Sequence, residues 1–172
     1  LSISLRIVRS ARFAEGGAFS RPRVTFGLTM EAKLSAAAEL AESKPAVAAA
    51  QLEDLIISAE TSEDAVKVKE SAIYQLGEVY AKQGEAAKLG ALLTNLRPFF
   101  ATRPKAKTAK IVRTLIDQVA KIGDSLPLQM SLCRESIEWC KAEKRSFLRQ
   151  RIQSRLAAML LESKQYTEAL AL

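Results

Sequence analysis

The chain has 172 residues, 48% of them apolar and 26% charged, with a formal net charge of +7 and no histidine. That length suits one domain with a sizeable core, and the composition excludes a disordered or collagen-like chain. Without histidine, Ser-His and Cys-His nucleophile pairs and histidine metal sites are excluded within these residues.

The charge is unevenly spread. Residues 1–29 hold Arg6, Arg9, Arg12, Arg21 and Arg23 against Glu15, a local +4, which leaves only +3 for residues 30–172. A nearly balanced body needs no polyanion to explain it, so no nucleic-acid partner is expected. The first 29 residues are rich in Arg and Ser and poor in acids, as in a mitochondrial transit peptide. Yet Leu1, Ile3, Leu5 and Ile7 alternate with Ser2, Ser4 and Arg6, a strand-like rather than a helical period. The first methionine, Met30, opens the alanine-rich MEAKLSAAAELAESKP and is expected to be the natural start, with residues 1–29 an upstream leader without a fold of its own. The leader would direct the chain to mitochondria only if it is a genuine transit peptide. No run approaches the roughly 18 to 20 apolar residues of a membrane span, so no membrane partner is expected.

From Met30 the reading is helical, since Ala, Leu, Lys and Glu are frequent while Gly and Pro are few. A first helix from Met30 to about Glu42 stops before Pro45, whose ring and missing amide end helices. A second, Ala46 to Ser58, sets Ala48, Leu52, Leu55, Ile56 and Ala59 on one face. Thr61-Ser62-Glu63-Asp64 supplies a hydroxyl cap with acids in the first turn, opening a helix through Tyr80. Gly84 is expected to end it in the left-handed conformation, and its partner runs from Glu85 to about Arg97, stopped by Pro98. Thr102-Arg103-Pro104 opens another hairpin, in which Ile111-Val112, Leu115-Ile116 and Val119-Ala120 recur every four residues until Gly123. Leu126, Met130, Cys133, Ile137 and Cys140 then form one seam. Its sulfur atoms read as soft core filler rather than a metal or redox site. Cysteines seven positions apart on a helix lie about 10 Å apart, too far for a disulfide, and free thiols fit a reducing compartment.

A repeat underlies these helices. Leu76-Gly77-Glu78-Val79-Tyr80 and Leu156-Ala157-Ala158-Met159-Leu160 share a large-small-x-x-large pattern, each followed four residues later by a helix end, Gly84 or Lys164. The small residue admits a partner helix and the large ones fill the groove. Thirteen residues after each leading leucine lie Leu89 and Ala169, and only Ala169 has the small side chain preferred at that point of a tetratricopeptide repeat. The copies are 80 residues apart, two units of about 40. The expected fold is all-α, a right-handed array of stacked helical hairpins resembling a tetratricopeptide solenoid over residues 30–172, incomplete at its C-terminal end.

Catalytic motifs are missing from these residues. There is no GxxxxGK[ST] phosphate loop, no GxGxxG and no CxxC. The acid pairs Glu53-Asp54 and Glu63-Asp64 fall on solvent faces or caps, where solvation and the helix dipole explain them. No enzyme and no cofactor are expected.

The segment EWCKAEKRSFLRQRIQSRLAAMLLESKQYTEALAL from Glu138 onward, LRPFF with KAKTAKIVRTLID, and LGEVYAKQGEAAKLGALL resemble the amino-terminal part of proteasome lid subunits of the PCI family. The resemblance covers about Ala65 to Leu172 closely and Met30 to Ser62 more loosely. It implies a non-catalytic scaffold of the regulatory particle, bracing the lid, the ATPase ring and the outer ring of the core particle in ubiquitin-dependent degradation, in cytoplasm and nucleus. It also implies a PCI module after the hairpins; these residues are expected to stop short of it, so that Leu170 and Leu172 would lack their usual cover. The alternatives are a peptide-binding adaptor of a related PCI complex (signalosome or translation initiation), and a helical-repeat RNA binder, which would need base-reading side chains repeated along one face.

Two basic runs are the candidate protein contacts: Arg103, Lys105, Lys107 and Lys110, and, around one hairpin turn, Lys141, Lys144, Arg145, Arg149, Arg151 and Arg155. Each suits an acidic partner, and each equally suits a solvated helix face. Phe147 and Leu148 within the second run are expected in the core.

Overall fold

The computed structural model describes residues 29–172. The expectations for residues 1–28 lie outside the described residues. Within them the chain forms α1 (Met30–Ser43), α2 (Pro45–Ile57), α3 (Glu63–Lys82), α4 (Ala86–Asn95), the short α5 (Arg97–Ala101), α6 (Lys105–Ala120), α7 (Leu126–Ala142), α8 (Ser146–Glu162) and the short α9 (Tyr166–Leu170), with no strand among the described residues. Each helix packs on its neighbours along the chain: α1 on α2, α2 on α3, α3 and α4 on α6, α6 on α7, α7 on α8, α8 on α9. This is the all-α array of hairpins that the repeat implies.

The helix ends follow local chemistry. Thr29, counted in the leader by composition, belongs to the fold: its hydroxyl accepts the Ala32 amide at 3.3 Å and caps α1. Ser62 caps α3 in the same way, accepting from the Ala65 amide at 3.2 Å, with Glu63 and Asp64 in the first turn. Pro45 opens α2 at its first position, where no amide is needed. Pro98 stands at the second position of α5 instead of merely stopping α4, so RPFF is itself part of a helical turn, capped by Leu96.

Three hairpin turns are built alike. Gly84, Lys144 and Lys164 have φ of 74°, 51° and 58°. Behind them the amides of Glu85, Arg145 and Gln165 donate to the carbonyls of Tyr80, Cys140 and Leu160 at 2.9, 2.9 and 2.8 Å. The amides of Gly84, Lys144 and Lys164 donate to Ala81, Lys141 and Leu161 at 3.2, 3.2 and 3.0 Å. These are Schellman closures. The helix ends ahead of Gly123, at Ala120, and in the turn that follows Asp124 takes the left-handed conformation, with φ 54°. Aspartate tolerates that region, and Ser125 fixes the turn, its buried Oγ lying 2.9 Å from the Val119 carbonyl and 2.7 Å from that of Ile122. Gln129 Nε2 donates to the same hydroxyl at 2.9 Å.

The repeat pattern maps onto the core as expected. Leu76, Tyr80, Leu89, Leu156 and Leu160 are buried, while Ala157 and Ala169 are half-buried. Gly77 marks the crossing of α3 and α6: a Cβ there would stand 2.0 Å from Gln118 Oε1 and 2.9 Å from Leu115 Cδ2. Gln118, buried, donates through Nε2 to the Tyr74 carbonyl of α3 at 3.3 Å. On α2, Ala48, Leu52 and Leu55 face inward and Ile56 is half-buried, but Ala59 lies beyond the helix and is exposed, because the chain leaves the helical path after Ile57.

Met130, Cys133, Ile137 and Cys140 form the buried seam of α7, although Leu126 at its start is partly exposed. Both thiols are free, and burial pushes each from the ordinary 9.0 up to about 11. A raised pKa means that the folded state holds the proton longer than the unfolded state. The stabilisation is therefore fully present below about pH 9 and lost as pH rises toward about 11, with a slope of ~1.4 kcal/mol per pH unit for each thiol. Urea unfolding across that window should show C133A/C140A losing less stability per pH unit than the parent chain. Equal slopes would mean that the thiols do not titrate with folding; lysine titration is common to both proteins and cancels.

Candidate interaction surface

The fold sorts the ten basic candidates into different roles. Arg103 and Lys107 both turn toward Glu70 of α3, Arg103 Nε at 3.8 Å and Lys107 Nζ at 3.1 Å, so they tie α6 and its entry loop to the preceding hairpin. Arg103 also lies 6.0 Å from the ring centroid of Phe99. Lys141 pairs with Glu138 one turn back at 2.7 Å. Lys105 and Lys144 are exposed and Arg149 is half-buried.

Arg145 is not a surface contact at all. It is 7% exposed, its Nη2 donates to the Phe100 carbonyl at 3.0 Å, and its guanidinium lies 4.9 Å from the centroid of Trp139. Phe100, 1% exposed, meets Trp139 at 5.8 Å between ring centroids with an interplanar angle of 52°. One aromatic-guanidinium node thus joins α5, α7 and the turn into α8. The reason a basic residue is buried here is physical: guanidinium is planar and weakly hydrated, so it stacks on an aromatic face while serving a buried carbonyl.

Three candidates do converge. Lys110 of α6 and Arg151 and Arg155 of α8 line one open cleft of ≈ 440 Å³, together with Arg113, Thr114, Ile116, Asp117 and Ile152. The cleft exists because α6 and α8, which belong to successive hairpins, are not among the closely packed pairs. Arg155 bridges the gap by an ion pair with Asp117. Among the described residues no acid lies within 4.0 Å of the charged ends of Lys110, Arg113 or Arg151. Arg113 was missed in the sequence because it falls outside the basic run, although its position three after Lys110 places both on neighbouring parts of one helix face.

Phe147 corrects a further expectation. It is 89% exposed, whereas Leu148 is buried. On α8 the inward stripe is Leu148, Ile152, Leu156 and Met159, and Phe147 is turned off that stripe by one residue, about 100°. It stands four residues before Arg151, on the same side of the helix. Other apolar groups also face water: Ile57 is 79% exposed, Leu170 90% and Leu172 42%. Ile57 borders an apolar pocket of ≈ 320 Å³ with Tyr80 and Leu92. There the Tyr80 hydroxyl donates to the Glu53 carboxylate, and burial, followed by that bond, raises the phenol pKa well above its ordinary value.

Among the described residues no group of three or more metal-binding side chains comes together, and no helix is long and apolar enough to cross a membrane.

Comparison with known proteins gives this geometry a family. Residues 30–163 match the family described as the 26S proteasome regulatory subunit RPN6 N-terminal domain. Over 112 residues the chain is 54% identical to the 26S proteasome non-ATPase regulatory subunit 11 homolog of Arabidopsis thaliana, covering 65% of this chain and 27% of that relative. It is 39% identical over 104 residues to the 26S proteasome non-ATPase regulatory subunit 11 of Dictyostelium discoideum, covering 60% and 25%. It is 36% identical, again over 104 residues, to the 26S proteasome regulatory subunit RPN6 of Saccharomyces cerevisiae, covering 60% and 24%. The chain therefore spans about a quarter of the length of these curated relatives.

Proposed function

The chain belongs to the family of the RPN6 N-terminal domain of the 26S proteasome regulatory subunit, and from that premise we propose that it serves as a non-catalytic scaffold in the regulatory particle lid. Its partners would be other lid subunits, the ATPase ring and the outer ring of the core particle, in cytoplasm and nucleus. The observation that carries this reading is that the family match, residues 30–163, spans almost the whole hairpin array from α1 to the end of α8. Helices that pack mainly on their sequence neighbours make an extended support with long side faces, which suits holding rather than chemistry. The curated relatives named above are proteasome regulatory subunits, which supports the same reading.

Affinity capture from cell extract with the 172-residue chain as bait, read by quantitative mass spectrometry, tests it. Regulatory-particle subunits should be enriched over a bait of equal charge and unrelated fold, with the full-length plant relative as positive control. If the control recovers the proteasome and this chain, shown helical by circular dichroism, recovers none, the scaffold reading fails for these residues.

A further inference from the structure

The cleft between α6 and α8 is the strongest unassigned feature, and we propose that it docks an acidic segment of a partner protein, with Phe147 as an exposed apolar anchor at its side. The inference deepens the scaffold reading and rests on it for the setting in which the partner is met. Four cations, Lys110, Arg113, Arg151 and Arg155, stand around a single acid, Asp117, which is already paired with Arg155. Like charges gathered in this way repel, and a carboxylate-rich occupant relieves the repulsion while gaining several charge-assisted hydrogen bonds.

The corresponding boundary between α3 and α6 shows the contrast. There Glu70 receives Arg103 and Lys107, and Gly77 lets the two helices meet, so the charge is answered from within the fold. Between α6 and α8 most of it is left unanswered. Phe147 strengthens the case because it is 89% exposed and lies on the Arg151 side of α8. A bare aromatic beside a basic cleft gives an acidic segment an apolar contact at the edge of the charged one, and aromatic and arginine side chains carry much of the binding at protein interfaces.

A protein segment fits better than nucleic acid. The cationic cleft is confined to one boundary between hairpins, the described body is nearly balanced in charge, and α8 carries no aromatic besides Phe147 on which successive bases would stack. The site is a local spot, not a track.

The test uses the 172-residue chain and a fluorescein-labelled peptide of alternating Glu and Asp carrying one central Trp, followed by fluorescence anisotropy at about 0.1 M salt. K110E/R151E should weaken binding by ~10-fold or more, and Phe147→Ala by ~5-fold. K33E/K44E makes the same change in net charge on exposed positions at the other end of the array and should leave affinity within about twofold. All substituted side chains are exposed, so folding is retained and circular dichroism checks it. Equal loss in K110E/R151E and K33E/K44E, or no measurable binding by the parent chain, overturns the proposal. An oligouridylate that binds more tightly than the peptide, and loses that affinity in K110E/R151E, assigns the cleft to nucleic acid instead. Running K110E/R151E through the capture from extract separates the two readings. Proteasome capture that persists while peptide binding is lost leaves the scaffold reading standing and removes the cleft from it. Peptide binding by a chain that captures no proteasome sinks the scaffold reading alone.

Discussion

Phe100→Ala lowers the unfolding free energy by about 4 kcal/mol, the upper part of the range for removing a buried phenylalanine. The ring is 1% exposed and contacts Trp139, and the carbonyl of the same residue receives the Arg145 guanidinium. Truncation removes the apolar area and the aromatic contact, and it leaves a void beside a buried cation whose Nε and Nη1 already have no protein partner. Urea unfolding followed by fluorescence is well suited to the measurement, because Trp139 is the only tryptophan and lies inside the node. Phe100→Leu, which keeps most of the volume, should cost about 1.5 kcal/mol. A loss below about 1 kcal/mol for Phe100→Ala would mean that the node does not hold α5 against α7.

Gly77→Leu costs about 3 kcal/mol or more, against what helix propensity alone predicts. In a helix interior, replacing glycine by leucine gains close to 1 kcal/mol. Here the new side chain must enter the space occupied by Gln118 and Leu115, which would lie 2.0 and 2.9 Å from its first carbon. Overpacking of that degree costs 1–3 kcal/mol for a methylene or two and more for a full leucine, so the clash outweighs the gain. Separating α3 from α6 also pulls Gln118 from the Tyr74 carbonyl. A double-mutant cycle isolates the cause: Gly77→Ala with Gln118→Ala should lose less than the sum of the single changes, by about 1 kcal/mol, because the second substitution removes the nearest atom the first one meets. Additive losses would place the strain elsewhere.

The array was legible in the sequence because its signal is periodic and local. Stripes such as Ile111, Leu115 and Val119 announce both the helix and its inward face, and the pair Leu76-Gly77 and Leu156-Ala157 announces the repeat. What was not legible depended on a choice between neighbours or on a partner distant in the chain. Pro98 looked like a stop because proline ends helices, yet it also begins them, and here it stands in the first turn of α5, two residues before the buried Phe100. Gly123 marked the end of the α6 stretch, but nothing local in the sequence singled out Asp124 for the left-handed position, next to Ser125 with its bonds to Val119 and Ile122.

The basic runs misled in the same way. Arg145 reads as surface in any one-dimensional view, and only the approach of Trp139 and Phe100 explains why it is inside. Phe147 reads as core and is outside, one residue off the stripe. The motifs that carried the family resemblance, LRPFF and EWCKAEKR, prove to be two sides of one packed node. The cleft of Lys110, Arg113, Arg151 and Arg155 spans two hairpins, so no single stretch of sequence displays it.

The left-handed turn residues, Gly84, Asp124, Lys144 and Lys164, stand at positions separated by multiples of twenty. That spacing imposes a parity rule on any change in gene structure. Loss of one helix with its turn, as in a skipped exon, would reverse the direction of every later helix relative to those before it. Surfaces that had faced one side would face the other, and α8 would carry its arginines away from α6. Loss of two consecutive helices preserves direction and leaves a shorter array of the same kind. Viable length variants of this region should therefore differ by whole pairs.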